Sequence, residues 1–396
     1  MLPSGVANTI VAWWTMLTYE KACYDPWMGR VCRDPTWAPH YQFVSTKTEY
    51  CRATGYCTDE AKQDNVTGCE PLQLFMYKRH ATRFPDEDDY EMFSTKLPEL
   101  RQKILTYAPS TGLVCTNIID ALRNWQFNYT KERSSLLTES GIKMTADIAK
   151  RYQKRFPQLF PKQYKPEDYQ VNFTEKVRTH ETATAYLDAI TEGYKQHINF
   201  SHDDDANVAY YRTCNKYLKA NKNYKKRPIS ELLAFLNSSY VKAFEAVMTS
   251  RLGFQVSFDD AKVMAKYCYF EVAIKGSSPF CSLFNDQDLK FLEFEDDVED
   301  YYKDAYGLAR NYKQACPVIR DLTIKFLSVV AHELNLDRNL PKQPKAVLYF
   351  SHANGFKKLI ARLGLFKDHN PITVKDFCYF YNKRKWRTTS ISPFNA

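Results

Sequence analysis

The run Arg79-His80-Ala81-Thr82-Arg83-Phe84-Pro85 places an imidazole between two guanidinium groups. Arginine's planar fork matches phosphate oxygens in pairs, and an uncharged imidazole nitrogen is a nucleophile near neutral pH. Together the three side chains could clamp a phosphoryl group and attack it. A chance cluster on a surface turn would look the same locally, so the setting decides. The run follows Pro71-Leu72-Gln73-Leu74-Phe75-Met76-Tyr77, an apolar stretch of strand length. A strand ending in Lys78-Arg79-His80 delivers cations and an imidazole to the carboxyl end of a sheet, where open α/β folds place their ligand crevices.

Two later segments repeat this arrangement. Lys345-Ala346-Val347-Leu348-Tyr349-Phe350-Ser351 reads as a buried strand ending at His352, followed by a helix with Phe356, Leu359, Ile360 and Leu363 at core spacing. Tyr169-Gln170-Val171-Asn172-Phe173 alternates as a half-buried strand. Arg178 comes next, then a helix with Ala183, Leu187, Ile190 and Tyr194 on one side. If the three strands share a sheet, His80, His352, Arg79, Arg83 and Arg178 converge. Arg178 could instead pair with Glu175 or Glu181 near the helix start.

The first segment resembles the Arg-His-Gly-x-Arg-x-Pro signature of the histidine acid phosphatases, and the wider chain looks like their multiple inositol polyphosphate phosphatase branch. The similarity includes Phe43–Tyr50 with its Thr46-Lys47-Thr48, the Leu137-Thr138-Glu139-Ser140-Gly141 turn, and Arg178 ahead of Thr182-Ala183 and Tyr186. It also includes the tail from Trp386 to Ala396, so it runs thinly from about residue 43 onward. The resemblance implies an α/β, histidine-phosphatase-like sandwich of a mostly parallel sheet between helices, with a helical insertion domain. It implies that His80 is the nucleophile, forming a phosphohistidine, while Arg79, Arg83, Arg178 and His352 bind the phosphate. It calls for no cofactor and no metal, since the cationic side chains supply the charge. The partner expected is a small phosphorylated substrate, an inositol polyphosphate such as phytate. The family's chain continues past Pro-Phe-Asn-Ala into a further strand, so a missing carboxyl-terminal piece is expected here.

Two positions depart from the pattern. Ala81 stands where the family has glycine, and a methyl group is tolerable there if the backbone needs no positive φ. His352-Ala353-Asn354 stands where the family has His-Ala-Glu, whose glutamate protonates the leaving alkoxide. An amide can hydrogen-bond that oxygen but cannot give it a proton, and losing a general acid costs about 10²- to 10⁴-fold. The expected function is therefore hydrolysis of phosphomonoesters. The alternative is a weakened paralogue that keeps the clamp as an inositol-phosphate or phosphate binding protein. A mutase of similar fold is a third, weaker option.

The surrounding elements organise as a discontinuous α/β core over 60–197 and 341–396, with a polar, mainly helical insertion over 198–340. Residues 1–59 read as a candidate signal segment, Val6 to Leu17, plus a Cys-rich arm. Helices are expected around 89–107, 113–125 and 142–155. Aromatic residues reach 15% and Gly is only 12 of 396, which argues against collagen-like, low-complexity and disordered classes. A formal charge of +9 favours anionic partners.

Eleven cysteines, five of them within the first 69 residues and none spaced Cys-x-x-Cys, read as disulfides in an oxidising compartment. Sequons begin at Asn65, Asn128, Asn172, Asn199 and Asn237, so N-linked glycans are expected. These features place the protein in the secretory pathway: outside the cell, at its surface or in the endoplasmic reticulum lumen. Beyond the first segment no stretch has the roughly 18 apolar residues of a membrane span.

Lys216, Lys219, Lys222, Lys225, Lys226 and Arg227 fall mostly on one helix face beside Tyr217 and Tyr224. A solvated basic face explains them. With Lys47, Lys216 and Lys219 would otherwise form a cationic substrate rim. No nucleic-acid module surrounds the tyrosines. His202-Asp203-Asp204-Asp205 lacks the spacing of a calcium loop, and His332-Glu333 lacks the second histidine of a zinc protease, so both are set aside.

Overall fold

The structure, a computed structural model, describes residues 29–37, 44–55, 68–192, 206–215, 218–219, 229–336, 340–377 and 383–396. Three parallel strands form its sheet: β1 (Leu74–Arg79), β2 (Tyr169–Phe173) and β3 (Ala346–Ser351), in the order β1-β3-β2. All six residues of central β3 are buried, which is why it reads as one continuous apolar run. Register pairs Arg79 with Ser351 and Phe173 with Phe350, so all three strands end level. Pairing continues one residue further, where His80 N–H donates to Ser351 O (3.0 Å) and Thr174 N–H to Phe350 O (3.3 Å).

The helices that position this sheet start where the sequence caps them. Helix α1 (Glu87–Thr111) begins two residues before its expected start, because Asp86 accepts from Asp89 N–H and the first turn carries three carboxylates. Helix α2 spans Thr116–Asn124 and α3 spans Glu139–Arg155, the latter capped by Thr138, which accepts from Gly141 N–H. Helix α4 is Val177–Asp188. Helices α5 (Ser239–Leu252), α6 (Phe258–Lys275), α7 (Asp286–Asp304) and α8 (Cys316–Glu333) follow, and α9 (Ala353–Arg362) leaves the end of β3.

Strand alternation divides the packing. Ala346, Leu348 and Phe350 join a core with Ile148, Ala183 and Leu187, so α3 and α4 cover one face. Val347 and Tyr349 join Val208, Tyr210, Val318 and Leu359 on the other. A larger apolar cluster lies among α1, α2, α5, α6 and α7, including Phe93, Leu97, Ile118, Phe244, Phe270 and Phe291. Parallel strands with helices packed on both faces of the buried central strand form an α/β sandwich.

Polar ties fix the remaining elements. On α7, Asp304 pairs with Lys357 and Lys358 of α9, Asp297 with Arg384, and Glu293 with Arg387. Disulfides join Cys32 to Cys115 and Cys268 to Cys281, and Cys51 is also disulfide-bonded. Among the described residues, Cys69, Cys214 and Cys316 are free, and no helix is long and apolar enough to cross a membrane.

Candidate active site

Level strand ends bring the two histidine motifs together. His80 and His352 are both buried, with ring centroids 5.4 Å apart and planes at 66°. His80 Nδ1 lies 2.9 Å from Ala81 O. A carbonyl only accepts, so Nδ1 carries the proton and Nε2 keeps its lone pair, the state a nucleophile needs.

The loop after β1 is held from three sides. Ala81 N–H donates to Thr182 Oγ1 of α4 (3.0 Å), Thr138 N–H donates to Thr82 O (3.0 Å), and Phe84 N–H donates to Leu136 O (2.9 Å). A Cβ on Gly141 would sit 2.4 Å from Thr82 O, so the Leu137–Gly141 turn needs its glycine for close approach. Ala81 is fully buried and is absent from the described residues with positive φ. The methyl group that replaces the family's glycine therefore carries no left-handed strain.

Three arginines surround the histidines. Arg79 Nη1 donates to Thr46 O (2.5 Å) and Ser392 O (2.6 Å), and its guanidinium lies 4.4 Å from the Phe394 ring centroid. Arg83 binds Phe84 O (2.7 Å) and Asp86 (3.0 Å). Arg178 occupies the first turn of α4 and does not take the two acids beside it. Glu175 faces Arg212 at 3.5 Å, and Glu181 accepts from Leu137 N–H at 3.0 Å. The Nε atoms of Arg79, Arg83 and Arg178 and Nδ1 of His352 are all buried without a hydrogen-bond partner. Buried polar groups are ordinarily paired, so four unpaired nitrogens in one site mark a place built for an anion.

Electrostatics agree. Burial, then Arg83, pushes Arg79 down to about 9, and burial with Arg83 pushes Arg178 to about 10. Burial, then Arg79, His352, Arg178 and Arg83, holds His80 well below the usual histidine value. Burial, then Arg178, Arg212, Arg79 and Arg83, does the same for His352. Helices α4 and α9 also begin here, adding the positive ends of two dipoles.

Lys47 lines an adjoining cavity of about 500 Å³, with Thr46, Lys262, Lys266, Glu295 and Asp300. Burial, then Lys266, Arg83 and Arg79, lowers Lys47 to about 7, opposed by Asp89. Lys219 is exposed and is not among the residues lining that cavity. Lys216, the rest of its basic run, His202–Asp205 and the first segment lie outside the described residues. Asn354 is exposed in the first turn of α9.

Sequence reasoning missed several contributors. Thr174 bonds His352 Nε2 at 2.8 Å, and its position directly after β2 was the available signal. Arg212 had no motif around it. Thr46 and Ser392 act through backbone carbonyls, which leave no trace in residue type.

A parallel sheet between helices, with two histidines and three arginines at its carboxyl edge, is the arrangement of a histidine-phosphatase-like α/β protein. Residues 72–396 match the family described as the histidine phosphatase superfamily (branch 2), and the chain belongs to it. It is 28% identical over 369 residues to multiple inositol polyphosphate phosphatase 1 of Drosophila melanogaster, covering 89% of this chain and 74% of that protein. Identity to the Homo sapiens protein of the same name is 26% over 355 residues, covering 82% and 69%. Phytase PHO112 of Candida albicans is 23% identical over 334 residues, covering 82% and 67%. The Bifidobacterium longum multiple inositol polyphosphate phosphatase, solved in complex with inositol hexasulfate, shares the fold. Its TM-score is 0.65 at 15% identity, over 90% of this chain and 86% of that one.

Proposed function

We propose that this protein is a phosphatase that hydrolyses phosphomonoesters, with inositol polyphosphates as the substrate class, through a phosphohistidine intermediate. The observation that carries the reading is the set of buried, unpaired guanidinium nitrogens beside a histidine whose Nε2 lone pair is fixed by its Nδ1–H bond. His80 Nε2 attacks phosphorus as the bond to the leaving oxygen breaks. Arg79, Arg83, Arg178 and His352 hold the phosphoryl oxygens and stabilise the charge that develops on them. The leaving oxygen takes its proton from solvent; water then attacks phosphorus, gives up a proton to solvent, and returns the electron pair of the N–P bond to His80.

Disulfides in the fold fit passage through the secretory pathway. Of the described sequons, Asn128 and Asn237 are exposed and suit glycans. Asn172 lies in β2, half-buried, with its Oδ1 accepting from Gln170.

The test is phosphate release from phytate and from an aryl phosphate, with phytate binding measured in parallel. His80→Ala should abolish release from both while the circular dichroism spectrum stays unchanged. Normal release by that variant would rule out the phosphohistidine. Tight phytate binding with no release by the unaltered protein would make it a binding protein.

A further inference from the structure

A chain of hydroxyls runs from His352 to the backbone of the β2–α4 connection. Thr179 Oγ1 lies 2.8 Å from Thr174 O and 2.7 Å from Lys176 O. Both are carbonyls, which only accept, so the single Thr179 hydroxyl hydrogen goes to one of them; spent on Thr174 Oγ1 instead, it would leave Thr179 Oγ1 against two carbonyl oxygens with no hydrogen between. Thr179 Oγ1 therefore accepts from the Thr174 hydroxyl at 2.9 Å. With its own hydrogen committed, Thr174 Oγ1 can only accept from His352 Nε2 at 2.8 Å. Neutral His352 is thus protonated on Nε2, and its buried, unpartnered Nδ1 holds a lone pair.

That tautomer does not suit an anion. A lone pair repels a phosphoryl oxygen, and the ring gains a second N–H only by protonation. The charged groups facing the ring are Arg178, Arg212, Arg79 and Arg83, with His80 beside it. All oppose a further positive charge until an anion neutralises them.

We propose that Thr174 and Thr179 are positioning residues that lock His352 as its Nε2–H tautomer, so that His352 donates to a bound phosphoryl group only by taking a proton on Nδ1. Anion binding is then coupled to proton uptake. This rests on the reading of the site as a phosphate clamp. It adds that the clamp completes itself with a proton when substrate arrives.

Inorganic sulfate tests it, because sulfate stays a dianion and brings no proton of its own. Calorimetry of sulfate binding at about pH 6.5, in buffers of different ionisation enthalpy, counts the protons exchanged. The unaltered protein should take up about one proton at His352 for each sulfate bound. Thr174→Val frees the ring to place its proton on Nδ1, so its uptake should fall by about one proton, and Thr174→Ser should restore it. In ¹⁵N spectra of histidine-labelled protein, His352 Nδ1 should change from unprotonated to protonated on adding sulfate. Equal proton uptake by the unaltered and Thr174→Val proteins, or an Nδ1 already protonated without sulfate, overturns the inference. Failure of the unaltered protein to bind sulfate, phosphate or phytate overturns the clamp itself.

Discussion

Ala81 N–H donates to Thr182 Oγ1 at 3.0 Å, and Thr182 Oγ1 in turn donates to Arg178 O at 2.6 Å. One hydroxyl therefore connects the loop that carries His80 to the helix that carries Arg178. Thr182→Ala strands a buried N–H, which costs about 1–3 kcal/mol. Urea denaturation should show that loss, with a fall in kcat for aryl phosphate hydrolysis. Thr182→Ser should recover most of both, and unchanged stability in Thr182→Ala would show that the bond contributes nothing.

Restoring the family's glycine should not help. Ala81 does not adopt positive φ, so Ala81→Gly relieves no strain and gives the unfolded chain more freedom. Stability should fall by about 0.4–1 kcal/mol, with phosphate release within about twofold of the starting protein. A thermal melt and a phosphate assay check both, and a large gain in turnover would contradict this account.

On the proposed mechanism, Asn354 sets the leaving-group preference. An amide gives no proton, so esters whose alcohol leaves readily, such as aryl phosphates, should be hydrolysed far faster than alkyl phosphates. Asn354→Glu should raise alkyl phosphate turnover by about 10²- to 10⁴-fold while changing aryl turnover little. The ratio of the two kcat/KM values is the measurement. No change in that ratio would place the proton donor elsewhere.

Three buried bases contribute stability that grows with pH in two windows, against the opposite pull of the buried acids Glu49 and Glu295, both raised to about 7 by burial. His80 and His352 stay neutral in the fold below their ordinary value, whereas the unfolded chain protonates them there. Stability is therefore lost as pH falls below about 6.5, and anion binding should offset the loss. Lys78, lowered to about 7 by burial and then Arg151, adds the second window. The unfolded chain keeps that proton up to about 10.4, so stability rises between about 7 and 10. Unfolding free energies across pH should show a slope steeper than that of Lys78→Met by up to about 1.4 kcal/mol per pH unit. Identical slopes would mean that Lys78 is ordinarily protonated in the fold.

Much of this site was legible because its histidines sit next to their strands. A buried apolar run ending in His80 or His352 announces both the element and the side chain it delivers, and the register of β1 and β3 then forces the two together. Arg178 was found the same way, from its place after β2. The unforeseen parts depend on partners far apart in sequence. No spacing rule reserves Glu181 for Leu137 N–H or brings Arg212 toward His352. The start of α1 was misplaced by two residues because capping is decided by one side chain, Asp86, whereas periodicity averages over turns.

Arg79 also bears on how the protein comes into being. Its guanidinium is shared by Thr46 O and Ser392 O, its N–H donates to Ala396 O, and Asn395 N–H donates to His80 O. In three of these four bonds, those to Ser392, Asn395 and Ala396, more than three hundred residues separate the partners. During synthesis the strand and histidine of β1 emerge early, soon after Thr46, yet Ser392 O and Ala396 O reach Arg79 only once residues 392–396 have left the ribosome. A nascent chain thus holds His80, the proposed nucleophile, without these supports until residues 392–396 have been translated.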